Sequence, residues 1–175
     1  MFKVTMRYSL ILLLSLLSAC TGLPEGLTPV TGFELQRYLG QWYEIARLDQ
    51  SFERGLTDIR AEYSLRDDGG IRVINSGYSS EQGGRKAAEG KAYFVDRADI
   101  GRLRVSFFGP FYGAYNIIAL DKTDYQWVVI CGPDRDYLWI LSRTPHMDEA
   151  TLQNLIKQAQ ELGFTTKQLI FDQHS

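Results

Sequence analysis

From residue 40 onwards, apolar and polar positions alternate in short runs, the period of strands with one dry and one wet face. The first run is Gly40-Gln41-Trp42-Tyr43-Glu44-Ile45-Ala46-Arg47, which puts Trp42, Glu44 and Ala46 on one face and Tyr43, Ile45 and Arg47 on the other. Gly40 lets the backbone bend or crowd at the strand's start, and the Trp42 indole then fills a large apolar volume. Residues 57–66 alternate again, Ile59, Ala61, Tyr63 and Leu65 opposing Asp58, Arg60, Glu62 and Ser64. Asp67-Asp68-Gly69-Gly70 follows, and Asp-Gly between alternating runs is a strong hairpin signal. Residues 71–79 and 88–96 supply a third and a fourth strand around the polar loop from Ser79 to Lys86.

The fifth strand sets Leu103, Val105 and Phe107 against Arg102, Arg104 and Ser106. After it comes Phe108-Gly109-Pro110-Phe111-Tyr112-Gly113, an aromatic turn that would suit an opening and is equally compatible with a closed end. Residues 115–120, 125–131 and 137–143 read as strands six to eight, with Gly132 to Asp136 as the last turn. Trp127, Val128, Val129 and Ile130 are apolar in succession, so that strand is covered on both faces. The cover is a helix capped by Asp148 and ended by Gly163, with Leu152, Leu155, Ile156, Ala159 and Leu162 at helical spacing. Its polar face (Gln153, Asn154, Gln158, Glu161) is hardly basic, which fits docking on a sheet and not on a membrane. Phe33, Leu35, Tyr38 and Leu39 predict a short turn before the first strand, and residues 168–171 a short last strand placed to pair with it.

The first residues carry a different signal. Lys3 and Arg7 precede an apolar run, Leu10 to Leu17, that is too short to span a bilayer and reads as a secretory signal over residues 1–19. Leu17-Ser18-Ala19-Cys20 resembles the bacterial lipobox, in which the cysteine is acylated and becomes the new N-terminus; ordinary cleavage beside a spectator Cys20 is the alternative. Acylation at Cys20 implies a stable anchor, and Thr21 after it, where Asp usually marks inner-membrane retention, points to the outer membrane. Residues 20–32, rich in glycine and proline, read as a lipidated tether.

Without that leader, 156 residues remain, enough for one domain (residues 33–175) with a proper core. Loss of Lys3 and Arg7 moves the formal net charge from −2 to −4. No basic stripe suggests nucleic acid. With Cys20 acylated, Cys131 has no partner and is expected as a buried free thiol; a Cys20–Cys131 disulfide would instead remove the anchor. Two histidines and a lone thiol do not make a metal site, and no cofactor motif appears. A hydrolase would need a nucleophile with a base, yet no Gly-x-Ser-x-Gly elbow is present.

Gly40-x-Trp42, the turn Leu120-Asp121-Lys122-Thr123-Asp124-Tyr125, and Arg143 in Leu141-Ser142-Arg143-Thr144-Pro145 together resemble the lipocalin family from Phe33 to Phe171. With the lipobox and Ser106 to Gly113, the resemblance is nearest to bacterial outer-membrane lipocalins. It implies an all-β fold, an eight-stranded antiparallel up-and-down barrel with one C-terminal helix packed outside. It also implies that Trp42 plugs the closed end, that Arg143 packs across it, and that Asp121 braces a turn. Such a barrel has room for one small ligand. Polarity of the strands then selects Ile59, Ala61, Tyr63, Phe94, Leu103, Val105 and Phe107 as lining, and the Arg143 position implied by the resemblance adds its strand-mates Tyr137 and Trp139. The expected partner is a fatty acid or lysophospholipid, stored or carried for envelope maintenance, and the sequence leaves a homodimer open. A structural envelope protein with a filled barrel is the competing reading.

Overall fold

The structure, a computed structural model, describes residues 22–174; the expected leader and Cys20 lie outside the described residues. The strands are β1 (Gly40–Arg47), β2 (Leu56–Leu65), β3 (Ile71–Ser79), β4 (Gly84–Phe94), β5 (Arg102–Phe108), β6 (Phe111–Leu120), β7 (Trp127–Cys131) and β8 (Leu138–Ser142). Each pairs antiparallel with the next, and β1 pairs with both β2 and β8, so the sheet closes on itself. Closure removes every long free edge. The helix α1 (Leu35–Tyr38) precedes β1, and the longer α2 (Glu149–Glu161) follows β8. Asp148 caps α2 by accepting the Thr151 N–H. Leu152, Leu155 and Ala159 bury one stripe of α2 against Val129, Cys131, Leu138 and Ile140 on the outside of the barrel. That contact explains why β7 is apolar on both faces.

β4 and β6 begin four residues earlier than the alternation implies. The first residues of β4 are largely exposed, and of the four added to β6 only Ala114 is buried, so ladder hydrogen bonds hold them where the sequence leaves little pattern. Strand parity sets the two ends. With α1 and the start of β1 at one end, the β2–β3, β4–β5 and β6–β7 connections close that end. The β1–β2, β3–β4, β5–β6 and β7–β8 connections surround the other. The aromatic turn at residues 108–113 therefore sits at the open end.

At the closed end the Arg143 guanidinium lies 3.9 Å from the centre of the Trp42 ring. It donates to the Gln41 carbonyl at 2.9 Å and to the Arg37 carbonyl at 2.6 Å. The Trp42 Nε1–H donates to the Tyr38 carbonyl at 2.9 Å. Gly40 has φ +94°, a left-handed conformation that favours glycine, and a Cβ there would sit 3.5 Å from Arg143 Nη1. The Asp121 carboxylate accepts the N–H groups of Thr123, Asp124 and Gln126, bracing the β6–β7 turn.

Three features depart from the sequence pattern. A bulge between Glu44 and Ala46 breaks the β1–β8 register. One extra residue reverses the faces beyond it, so Ala46 turns out towards α2 and Arg47 turns in beside Trp139. Residues 22–32 are not a free tether. Leu27 is buried on the α2 side, the Val30 N–H donates to Ile117, and Thr31 bridges Ile100. Lastly, β1 pairs with β2 only as far as Tyr43. Beyond it, β9 (Ile170–Phe171) pairs with Ala46 and Arg47, and the Asp172 carboxylate accepts the N–H groups of Asp58 and Ile59. The C-terminal segment thus stitches the seam at the open end.

Candidate functional site

The inward faces enclose a narrow cavity of only about 10 Å³, lined by Phe33, Tyr38, Tyr63, Ile71, Val73, Ala92, Leu103, Val105 and Tyr115. Trp42 packs into the same interior cluster at the closed end and is wholly buried. Three phenols meet in the wall: the Tyr115 hydroxyl lies 2.6 Å from that of Tyr38 and 2.8 Å from that of Tyr63. Burial raises all three, Tyr63 to about 12 and the others well above their ordinary range. They therefore stay neutral and satisfy one another, which leaves the cavity apolar in character.

Nearer the mouth the wall carries charge. The Arg47 Nη1–H donates to Glu44 Oε1 at 2.6 Å, and the Trp139 Nε1–H donates to Glu53 Oε2 at 3.0 Å. Arg47 Nε stands 3.9 Å from Glu53 Oε2 and has no hydrogen-bond acceptor. Glu44, Arg47 and Glu53 are 3%, 3% and 6% exposed. Two buried carboxylates thus share one guanidinium, an arrangement that favours keeping a proton. Burial, then the neighbouring Glu53 charge, pushes Glu44 up to about 8, and burial also raises Glu53.

This shift fixes a pH dependence. A carboxyl whose folded pKa is raised contributes stability that is complete below its unfolded value and lost as pH rises through the folded one. Stability should therefore fall between about pH 4.5 and pH 8. Glu44→Gln should flatten that fall by ~1–3 kcal/mol, since the amide keeps the shape and cannot ionise. Urea midpoints across that window check it; parallel profiles for the two proteins would count against it.

The sequence-predicted residues divide into groups. Tyr63, Leu103 and Val105 line the cavity directly. Ala61, Phe94, Phe107 and Trp139 pack against the same interior cluster, Phe94 at the closed end edge-on to Phe33 at 6.0 Å. Ile59 is buried near the mouth, where a Cβ on Gly77 would sit 3.1 Å from its Cγ1, outside that cluster. Tyr137 belongs to the β7–β8 loop, its ring 6.1 Å from that of Trp139. Sequence reasoning missed Phe33, Tyr38, Ile71, Val73 and Tyr115 as wall, and the whole Glu44–Arg47–Glu53 cluster. Glu44 on the Trp42 face was the available signal for the latter, since a carboxylate facing an apolar interior requires a partner. Cys131 is a free thiol buried under α2, and burial pushes it up to about 12, which makes it unreactive.

A closed eight-stranded barrel, plugged at one end and apolar within, defines a lipocalin-type binding fold. Residues 33–174 match the family described as Lipocalin-like domain, and the chain belongs to the lipocalin family. It is 54% identical over 164 residues to the outer membrane lipoprotein Blc of Vibrio cholerae serotype O1, covering 94% of this chain and 96% of that relative. Identity to the Escherichia coli K12 protein of the same name is 53% over 150 residues, 86% of this chain and 84% of that one. Among solved structures, insecticyanin from the tobacco hornworm superposes with a TM-score of 0.71 at 23% identity, over 88% of this chain and 87% of that one. That likeness speaks for the fold alone.

Proposed function

We propose that this lipocalin is an acylated outer-membrane protein that stores or carries a single-chain lipid, a fatty acid or lysophospholipid, for envelope maintenance. The observation that carries the reading is the interior: an apolar, aromatic-lined barrel closed at one end, with charge confined to the mouth. Its free volume, about 10 Å³, lies far below the ~300–1,000 Å³ of ligand pockets, so a ligand must part the aromatic lining to enter, which favours a slender chain over a bulky ring system. The chain's tail would reach Val105 and Leu103, and its polar end would remain near Arg47 and Trp139. The names of the relatives support the outer membrane as location.

The direct test is titration of delipidated protein with long-chain fatty acid and with lysophospholipid, followed by Trp139 fluorescence. Val105→Glu should weaken either ligand by at least ~10-fold, because it places an unpaired carboxylate against the acyl chain. Circular dichroism must first show the variant folded. A second reading, a structural envelope protein with a filled barrel, draws on the narrowness of the cavity. It gains if the wild type binds neither lipid or if the variant binds as well.

The anchor has its own test. Cys20→Ser should abolish labelling by palmitate and release the protein from membranes, since stable attachment needs more than one acyl chain. An unlabelled wild type would remove the anchor from the proposal and leave the binding function standing.

A further inference from the structure

The strand order sets two tyrosines face to face. Around the closed sheet, β2 reaches β6 through β3, β4 and β5 one way and through β1, β8 and β7 the other, so the two stand on opposite walls. Tyr63 on β2 and Tyr115 on β6 both point inward, and their hydroxyls meet at 2.8 Å across the lumen. Tyr38 reaches the same point from α1 at the closed end, its hydroxyl 2.6 Å from that of Tyr115. The Tyr63–Tyr115 pair is therefore a bar across the barrel, held at its ends by the two walls and at its centre by a hydrogen bond. Burial keeps all three phenols neutral, so the bond is present throughout the pH range in which the barrel works.

The lumen differs on the two sides of this bar. Towards the mouth, the next inward position on β2 is Ala61 and on β6 is Gly113, neither of which can cross the lumen. A Cβ on Gly113 would meet only the Val105 carbonyl, at 4.0 Å. Ala61, Val105 and Trp139 on this side are only partly buried. Towards the closed end Trp42, Ile117 and Val128 have no exposed surface. The space at the phenols themselves is about 10 Å³, room for one water molecule and no more. From Phe111 at the rim to Tyr115 is ~13 Å along the strand, shorter than a long acyl chain when extended. A shaft walled by small residues thus descends from the mouth and ends on two joined hydroxyls.

We propose that the Tyr63–Tyr115 bridge sets the acyl-chain length this barrel accepts: a short chain comes to rest on it, and a long chain enters only by parting it. The inference rests on the lipid-binding reading above. Parting the bridge breaks one hydrogen bond and leaves Tyr115 paired with Tyr38, so the closed end keeps its packing. The cost falls on long chains alone, because only they reach the bar. Selection by length then comes from a single bond between opposite walls.

The test titrates delipidated full-length protein with decanoate and with hexadecanoate, in the wild type, Tyr63→Phe and Tyr38→Phe. Tyr63→Phe keeps the ring and removes only the bridge; Tyr38→Phe removes only the bond beneath it. Hexadecanoate should bind Tyr63→Phe ~3–10-fold more tightly than the wild type, the worth of one hydrogen bond that no longer has to be broken. Decanoate should bind both alike, and Tyr38→Phe should keep the wild-type ratio of the two acids. Ultraviolet resonance Raman spectra of the wild type supply a readout that needs no variant. Hexadecanoate should shift the tyrosine doublet towards a phenol without its hydrogen bond, and decanoate should leave it in place. If Tyr63→Phe fails to fold, this spectral difference decides. The same ratio of affinities in all three proteins, or a doublet unmoved by hexadecanoate, overturns the inference and leaves lipid binding standing. A wild type that binds neither acid overturns the lipid-binding reading, and this inference with it.

Discussion

Trp42→Ala should lower the stability of the barrel by about 3–5 kcal/mol, the cost of emptying a large, fully buried aromatic site. Trp42 has no exposed surface, packs 5.0 Å from the Tyr38 ring, and donates its indole N–H to the Tyr38 backbone. Its other face carries Arg143, so the truncation also leaves a half-buried guanidinium without its ring. Closed-barrel geometry limits relaxation, because β1 is held on both sides by β2 and β8. The thermal midpoint should drop on the order of 10 °C. Trp42→Phe should cost less than half as much, since a ring still fills the site. Calorimetry on both variants checks the order. The loss should precede any change in ligand preference, because the plug forms none of the cavity lining. Full stability with lost binding would move Trp42 from scaffold to site.

This plug was legible in the sequence because it is local and repeated: Gly40 two residues before Trp42, then strict alternation to Ile45, then Arg143 near the end of β8. The same alternation placed Leu103, Val105 and Phe107 indoors, since Arg102 and Arg104 can only face water in an apolar barrel. The position of the 108–113 turn was also within reach: in an up-and-down barrel, counting strands from the plugged end assigns every connection to one rim or the other. What could not be read was set by tertiary geometry. A single extra residue between Glu44 and Ala46 leaves the composition of β1 unchanged and exchanges the environments of Ala46 and Arg47. Glu53 reads as an ordinary loop carboxylate, and only the folding of the β1–β2 loop over the mouth brings it to Trp139. The docking of residues 22–32 was hidden for a similar reason. Their glycines and prolines read as spacer, whereas burial of Leu27 and backbone bonds to the barrel hold them in place.

The bulge has an energetic consequence that gives the second large expected effect. Arg47→Met should cost about 3–5 kcal/mol at pH 8, because removing one member of a buried ionic cluster leaves the others uncompensated. Methionine is close to the arginine stem in shape, so packing should change little and charge should dominate. Without the guanidinium, Glu44 loses its 2.6 Å partner and faces Glu53 alone in the wall of an apolar cavity. The nearby arginine charge lowers both carboxyls in the wild type, so its removal must raise both further. The sign follows. Carboxyls raised in the folded state favour folding while protonated and oppose it as pH climbs, so the deficit should be largest at pH 8 and should shrink markedly at pH 5. Adding Glu44→Gln to Arg47→Met should restore part of the stability at pH 8, because one of the two stranded charges is then gone. Urea denaturation of the wild type, the single variant and the double variant at both pH values measures all of this. An equal deficit at pH 5 and pH 8, with no recovery in the double variant, would make Arg47 a packing residue, and the mouth of the barrel would then owe nothing to its charge cluster.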